Sequence, residues 1–296
     1  MTDTSAFDEH RPLLFSIAYR MLGSASDAEV VVQDAWLRYQ GASDVRSPRA
    51  FAATVVTRLC LDRLKSARAS REEYVGPWLP EPMLTTEEGP DVTLQRSESV
   101  TLAFLVLLEA LSPEERAVFL LREVFDYQHR EIAEMLGLSE PNCRQLFHRA
   151  KTRLARDRPS VPDVSADRLA VAARFGDAMK AGDAAAFTEL LAQDVGLWAD
   201  GGGKVSASRR PLVGRAEVLN FLVGLHRVAV NTGGYRQASL DYAEVNGEPA
   251  MLVRLSGQLD GVFVMSVVDG QIATIRVVRN PDKLRFIERQ LAARLM

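Results

Sequence analysis

Residues Leu111–Leu154 read LSPEERAVFLLREVFDYQHREIAEMLGLSEPNCRQLFHRAKTRL, a spacing of caps and apolar positions that predicts a helix-turn-helix. Ser112, Pro113 and Glu115 can form a capping box at the start of a helix, and proline is tolerated in the first turn because the amide it lacks has no partner there. Glu131–Gly137 predicts a short second helix stopped by glycine, which takes the left-handed C-cap conformation at little cost. Ser139 caps a third helix running from about Glu140 to Arg153. In it Leu146, Ala150 and Leu154 recur every four residues, while Arg144, Gln145, His148, Arg149 and Lys151 occupy largely other angles. Such a helix buries one side against its predecessor and offers donors for base edges and phosphates on the other, as reading a DNA major groove requires. A helical hairpin with a solvated basic face is the plainer alternative.

The chain has 296 residues and a formal net charge of -3. That length predicts about two domains, with room for three modest ones. The charge argues against a generally DNA-coating basic protein, but sign can be segregated between faces. Cys60 and Cys143 are the two cysteines and there is no CxxC, so neither a disulfide framework nor a thiolate metal cluster is expected. Both read as small buried hydrophobes. The N-terminus lacks a basic start followed by an apolar run, and no apolar segment is long enough to cross a bilayer, so a cytoplasmic location is expected.

Upstream, Leu14, Ile17, Ala18, Met21 and Leu22 line one side of a helix that Gly23 ends. A second helix is expected to start at Ser26, with Glu29 as its capping partner, and to keep Ala28, Val32, Ala35, Trp36 and Tyr39 on a buried stripe. Its polar face carries Asp27, Glu29, Gln33 and Asp34. Ser47-Pro48 opens a third helix, on which Phe51, Val55, Leu59 and Leu64 are expected to pack inward. Outside that stripe lie Arg58, Arg63, Lys65, Arg68 and Arg71. Basic side chains concentrated on one helix and its exit attract a phosphate backbone, although a charge run can also be only a solvated face.

Two breaks divide the chain. Gly76 to Pro90 contains Pro77, Pro80, Pro82, Gly89 and Pro90, which forbids a regular helix and favours an extended tether. Trp78 and Leu79 within it need a surface to cover them. The second break is Arg158–Asp163. Beyond it the pattern changes: a helix from Leu169, a turn at Gly182-Asp183, a short helix, a strand at Val195–Ala199, then Asp200-Gly201-Gly202-Gly203-Lys204. After a helix from Gly214-Arg215 to about Val228 come four strands, with turns expected at Asn246-Gly247, Asp260-Gly261 and Asp269-Gly270. Helices first and a curled antiparallel meander after predict an α+β cone. His226, Asp200, Asp241, Arg236 and Tyr242 are the candidates for acid-base chemistry there. The glycine run lacks the spacing of a phosphate-binding loop, so nucleotide hydrolysis is a poor fit. It reads as a flexible loop near the linker in which Lys204 can meet an acidic partner such as Glu81, or a partner protein. Lys283 to Leu295 closes the chain as a helix with Leu284, Ile287, Leu291 and Leu295 on one side.

The order of these pieces resembles the bacterial extracytoplasmic-function sigma factors. SASDAEVVVQDAWLRY matches the sigma-2 motif and the helix-turn-helix matches sigma-4, a resemblance that covers Phe7 to Arg156. The third part resembles the SnoaL-like branch of the nuclear-transport-factor-two fold. Trp78-Leu79-Pro80-Glu81-Pro82, Asp200-Gly201-Gly202-Gly203-Lys204 and Asn280-Pro281-Asp282-Lys283-Leu284 are the WLPEP, DGGGK and NPDKL motifs of the sigma subgroup with such an extension. The resemblance implies five segments: a sigma-2-like helical domain over 1–73, a linker over 74–95, a sigma-4-like domain over 96–156, a linker over 157–166 and a SnoaL-like α+β domain over 167–296.

It also implies roles. Asp27, Glu29, Gln33 and Asp34 would dock on core RNA polymerase. Arg58, Arg63, Lys65, Arg68 and Arg71 would engage the minus-10 element of the promoter, whose flipped bases need a pocket and backbone charge. No aromatic residue lies between Phe51 and Tyr74, as suits this class. Arg144, Gln145, His148, Arg149 and Lys151 would read the minus-35 duplex, and the WLPEP and DGGGK residues would regulate in cis. The reading is a promoter-specificity subunit and no enzyme, without cofactor, metal or membrane, monomeric when free and needing no separate anti-sigma protein. A small ligand inside the cone is a secondary expectation. The alternatives are a conventional DNA-binding regulator and a DNA-tethered SnoaL-like enzyme.

Overall fold

Local signals start most of the helices. In a computed structural model of the chain, residues 4–43, 45, 47–85, 101–155, 168–234 and 237–294 are described, with residues 67–72 described for their backbone alone. They form two compact units: residues 1–73 with 86–159, and residues 74–85 with 160–296.

The first unit is all helical: α1 (Thr4–Asp8), α2 (Arg11–Leu22), α3 (Ala25–Gln40), α4 (Pro48–Glu72), α5 (Leu102–Leu108), α6 (Pro113–Glu123), α7 (His129–Leu136) and α8 (Glu140–Leu154). Gly23, left-handed, ends α2, and Ser24 caps α3 by accepting the Asp27 amide at 3.1 Å. The expected cap at Ser26 is therefore corrected: Gly23 leaves the next residue extended, so the helix begins two residues earlier. The capping box of α6 forms as read, with the Glu115 amide 3.2 Å from Ser112 Oγ and the Ser112 amide 3.0 Å from the Glu115 carboxylate. Gly137 has φ 68° and terminates α7, and Ser139 caps α8.

Leu14, Ile17, Met21, Ala28, Val32, Ala35 and Tyr39 are buried as the stripes require. Among the described residues of α4 the buried positions are Ala52, Ala53, Val56, Thr57, Leu59, Cys60, Leu61 and Leu64. Phe51 and Val55 are only half-buried, which corrects the narrower stripe expected for this helix. The reason is its surroundings: α4 packs against α2, α3, α6 and α7, so more than one side is covered. Cys60 and Cys143 are both buried, and burial pushes both thiols up. Arg116 is buried at the start of α6, where it donates to the Met21 carbonyl at 2.8 Å and to Glu109 at 2.8 Å, joining the helix-turn-helix to the end of α2.

The second unit is α+β. Its elements are α9 (Arg168–Ala181), α10 (Ala184–Leu190), β1 (Leu191–Asp200), β2 (Leu212–Val213), α11 (Arg215–Asn231), β3 (Ala238–Val245), β4 (Glu248–Leu255), β5 (Gln258–Val268), β6 (Gln271–Val278) and α12 (Pro281–Ala293). The six strands form one sheet in the order β2-β1-β6-β5-β4-β3. Strands β3 to β6 make the expected meander, but β1 joins β6 in parallel. Leu197, Met251, Phe263, Met265 and Ile275 line one face and pack with Phe175, Phe187 and Leu222 from the helices. Helix α12 packs against β5; Leu284 and Ile287 are buried, Leu291 is half-buried and Leu295 lies outside the described residues.

The turns at Asn246-Gly247 and Asp269-Gly270 form where read, each with both residues at positive φ. The third does not. The chain reverses at Ser256-Gly257, with φ of 51° and 84°, and Asp260-Gly261 lies inside β5. Val253 pairs with Gly261 and Arg254 with Leu259, so Asp260 is the extra residue of a bulge. Its carboxylate is taken by Arg279, which donates from Nη2 to both oxygens at 2.8 and 3.0 Å and from Nε at 3.1 Å. A tertiary partner overrides a turn-like dipeptide.

Candidate nucleic-acid and polymerase interface

Helix α3 buries Ala28, Val31, Val32, Ala35 and Tyr39, which leaves Asp27, Glu29 and Gln33 exposed and Asp34 half-buried on its other side. Val30 and Leu37 are also exposed, at 42% and 56%. They were missed from sequence because an apolar residue beside an apolar stripe looks like core. One helical face thus combines carboxylates with uncovered apolar groups, the composition of a docking surface.

On α4, three of the basic residues expected at DNA have partners inside the unit. Arg58 Nε donates to the Met135 carbonyl at 2.8 Å. Arg63 reaches Asp27 at 3.0 Å and Asp34 at 3.5 Å, so a candidate DNA contact is paired with two candidate polymerase contacts. Lys65 meets Glu114 at 3.2 Å. Pairs this exposed are weak and can be exchanged for phosphate contacts. The side chains of Arg68 and Arg71 lie outside the described residues.

Helix α8 turns Cys143 and Ala150 inward and keeps Leu146, Phe147 and Leu154 half-buried. Gln145, His148 and Arg149 are exposed. Arg144 is exposed and donates to Glu140, one turn back, from Nε at 3.2 Å and Nη2 at 2.5 Å. Lys151 turns to Glu123 on α6 at 3.3 Å and lies 5.3 Å from the Phe147 ring centroid. His129, at the start of α7, meets Phe147 edge-on at 5.4 Å. Burial, then the positive charges of Arg144 and Arg122, lower its pKa below the ordinary histidine value.

Residues 74–85 belong to the second unit, and one carboxylate anchors them there. Asp200 is fully buried at the end of β1. It accepts from the Tyr74 hydroxyl at 2.6 Å, the Gly202 amide at 3.0 Å, the Leu79 amide at 2.8 Å and Lys283 Nζ at 2.7 Å. Lys283 also donates to the Leu79 carbonyl at 2.5 Å and lies 4.2 Å from the Trp78 ring centroid and 4.8 Å from that of Tyr74. Asn280 donates to the Tyr74 hydroxyl at 2.9 Å. Burial, then the bond to Asp200, raises the Tyr74 pKa. Gly202 has φ 58°, and a Cβ there would run into the Asn280 amide. All three short motifs therefore meet at Asp200; Tyr74, Asn280 and Lys283 were not singled out as site residues because their side-chain partners in the anchor lie 83 or more positions away.

The expected pairing of Lys204 with Glu81 is corrected. Lys204 pairs with Asp282, holding that carboxyl below its usual range, while Glu81 is buried between Pro80 and Pro82, themselves buried. Nor is the glycine run a loose loop, since Gly201 is buried and Gly202 is bonded to Asp200. Further along, Met83 exchanges hydrogen bonds with Asn246 at 2.9 and 3.0 Å, and Leu84 bridges Val245 antiparallel. The Thr85 amide donates to the Glu244 carbonyl at 2.9 Å. Gln290 of the last helix accepts from the Leu84 amide at 2.8 Å, and Arg294, its C-cap, donates to the Thr85 carbonyl at 3.0 Å. The segment is extended, as its prolines demand, and it extends the sheet at the edge strand β3.

The acid-base candidates are engaged separately. Asp200 sits in the anchor, Asp241 pairs with Arg254 at 3.2 Å, the His226 ring contacts the Met179 carbonyl at 2.9 Å, and Tyr242 packs beside Gly176. Arg236 lies outside the described residues. A cavity of about 140 Å³ lies not inside the cone but between Val75-Gly76 and the Gly201–Arg209 loop. Among the described residues no cluster of three or more His, Cys, Asp or Glu is placed to hold a metal ion, and no helix is long and apolar enough to cross a membrane.

The chain matches the families Sigma-70 region 2 over residues 6–70 and Sigma-70, region 4 over residues 101–154. It belongs to the extracytoplasmic-function RNA polymerase sigma factors, in the group that carries a C-terminal SnoaL-like extension. Among its relatives, ECF RNA polymerase sigma factor SigJ of Mycobacterium tuberculosis is 35% identical over 95% of this chain and 93% of its own. Probable ECF RNA polymerase sigma factor SigI of the same species is 30% identical over 97% of both. The crystal structure of M. tuberculosis SigJ superposes with a TM-score of 0.77 and 33% identity, covering 96% of this chain and 99% of that one. The protein is accordingly a promoter-specificity subunit that binds core RNA polymerase and directs initiation, with no covalent chemistry of its own. The conventional-regulator and tethered-enzyme alternatives give way to it.

Proposed function

We propose that this sigma factor is controlled in cis by its C-terminal domain through the linker segment 74–85. The observation that carries this reading is the buried Asp200–Lys283 anchor, which holds the WLPEP segment to the α+β unit. The segment lies between α4 and the helices of sigma-4, so whatever holds it limits how far the two promoter-binding modules can part. Functionally, residues 74–85 are then part of the regulatory domain, together with 167–296, and the sigma modules are 1–73 and 96–156.

Asp27, Glu29, Gln33 and Asp34, with Val30 and Leu37, dock on core polymerase. Arg58, Arg63 and Lys65, followed by Arg68 and Arg71, serve the minus-10 element. Helix α8 serves the minus-35 element through Arg144, Gln145, His148 and Arg149, with Lys151 near the phosphates. Arg58 and Lys65 hold sigma-4 in the present arrangement, so promoter engagement requires them to exchange Met135 and Glu114 for DNA. The factor acts in the cytoplasm as a monomer, without a separate anti-sigma protein. A ligand inside the cone is disfavoured by Phe175, Phe187, Met251 and Phe263, which pack there.

The test is run-off transcription by core polymerase from the gene's own upstream region. It compares the full chain, a chain ending near Pro159, and the Lys283→Met variant. Cis control predicts that both altered forms differ from the full chain in the same direction. Equal output from all three forms would remove the regulatory reading.

A further inference from the structure

Glu140 is the first residue of the helix that reads DNA, and a carboxylate there is out of place. The first turn of a recognition helix enters the groove between two phosphate backbones, where a free negative charge is repelled. Favourable interaction with the helix dipole explains an acid in a first turn in general, but not on the turn that faces DNA. Its partner resolves the conflict. Arg144 donates both Nε–H and one Nη2–H to a single carboxylate oxygen, Glu140 Oε1, at 3.2 and 2.5 Å. A guanidinium has five N–H donors in a rigid plane; two are thereby tied, and the three on its far edge remain for DNA. That edge matches the O6 and N7 acceptors of guanine, which a guanidinium takes bidentately. Two other long cations of α8 differ: Lys151 and Arg153 lean back onto Glu123 and Glu115 of α6, away from the first turn.

We propose that Glu140 is a positioning residue for promoter specificity: it holds Arg144 so that the guanidinium reads a guanine in the minus-35 duplex. This rests on the assignment of α8 as the minus-35 reader. Without Glu140, Arg144 is a long flexible cation that reaches a phosphate equally well. Base discrimination then falls while non-specific affinity rises. A purely structural role for Glu140 would not produce that opposition.

The full chain with core polymerase is used to transcribe a promoter pool randomised through the minus-35 region, and the output is sequenced for wild type, Glu140→Gln, Glu140→Ala, Glu140→Asp and Arg144→Ala. Glutamine keeps an acceptor at the same reach without the charge, and aspartate keeps the charge and the helix N-terminus but is too short to hold Arg144. Wild type is expected to prefer guanine at one position by about tenfold or more. Arg144→Ala, Glu140→Ala and Glu140→Asp should reduce that preference to about twofold, and Glu140→Gln should keep most of it. Duplex binding by Glu140→Ala should also fall more steeply with salt, by about one phosphate in slope. If the alanine variant folds poorly, the aspartate variant decides. Retention of the full guanine preference by both Glu140→Ala and Glu140→Asp overturns the proposal while leaving the α8 assignment intact. A wild-type factor that initiates with no base preference anywhere in the minus-35 region overturns both.

Discussion

At the scale of single residues, two titratable groups carry consequences that can be measured. Among the described residues Lys283 is the one cation bonded to the Asp200 carboxylate, and both groups are buried. Removing one partner of such a pair leaves an uncompensated buried charge, at a cost of about 3–5 kcal/mol. Lys283→Met should therefore lower the denaturation midpoint of the C-terminal domain substantially and expose Trp78, seen as a red shift of tryptophan emission. Lys204→Glu, by contrast, alters a half-exposed pair and should barely move that midpoint. The second group is His129. Its lowered pKa means that the fold favours the neutral ring, so its contribution to sigma-4 stability is complete above the ordinary value of 6.5 and is lost as pH falls through the lower folded-state value. An NMR titration of its ring protons should give a midpoint below 6.5; a midpoint at or above that value would contradict the packing against Phe147.

At the scale of elements, stop signals and turns decide where the pieces end. Gly137 closes α7 at φ 68°, a conformation that costs a residue with a Cβ roughly 1–2 kcal/mol. Gly137→Ala should destabilise the helix-turn-helix by about that amount in thermal unfolding. In the sheet, Ser256 holds φ 51° at the first position of a two-residue turn that favours asparagine. Ser256→Asn should be neutral or stabilising, whereas Gly257→Val at φ 84° should destabilise, and both are read from the unfolding midpoint. The same pair of variants at Asp260-Gly261 would behave differently, since Asp260→Asn breaks the charge pairing with Arg279.

At the scale of the whole molecule, the linker and the edge strand answer each other. An edge such as β3 invites pairing with another chain, and residues 83–85 cover part of it through Leu84 and Thr85. Sedimentation of the full chain should show a monomer, while a variant with residues 77–85 replaced by glycine and serine should both self-associate and lose the difference in transcription between full-length and shortened forms. A replaced linker that leaves both behaviours unchanged would show that anchoring serves stability alone.

Much of this protein was legible from residues that act locally. Ser112 with Glu115, Gly23, Gly137 and Ser139 act through backbone groups a few positions away, so they place helices whatever the rest of the chain does, and two of three hairpins follow from Asn246-Gly247 and Asp269-Gly270 for the same reason. The candidate DNA and polymerase surfaces were legible as faces, because helical periodicity sorts side chains by angle. What each charged side chain bonds to was not: Arg63 with Asp27, Arg58 with Met135, Lys204 with Asp282 and Lys283 with Asp200 join residues between 36 and 83 positions apart. The sequence by itself determined the helices, the order of the modules and the family to which they belong; tertiary structure alone decided that the linker belongs to the C-terminal domain and that Asp260-Gly261 is a bulge. The physical reason is the same in both cases, since a charge withdrawn from water, wholly or in part, takes whichever partner the fold brings within hydrogen-bonding distance, and that distance is not encoded in the neighbours along the chain.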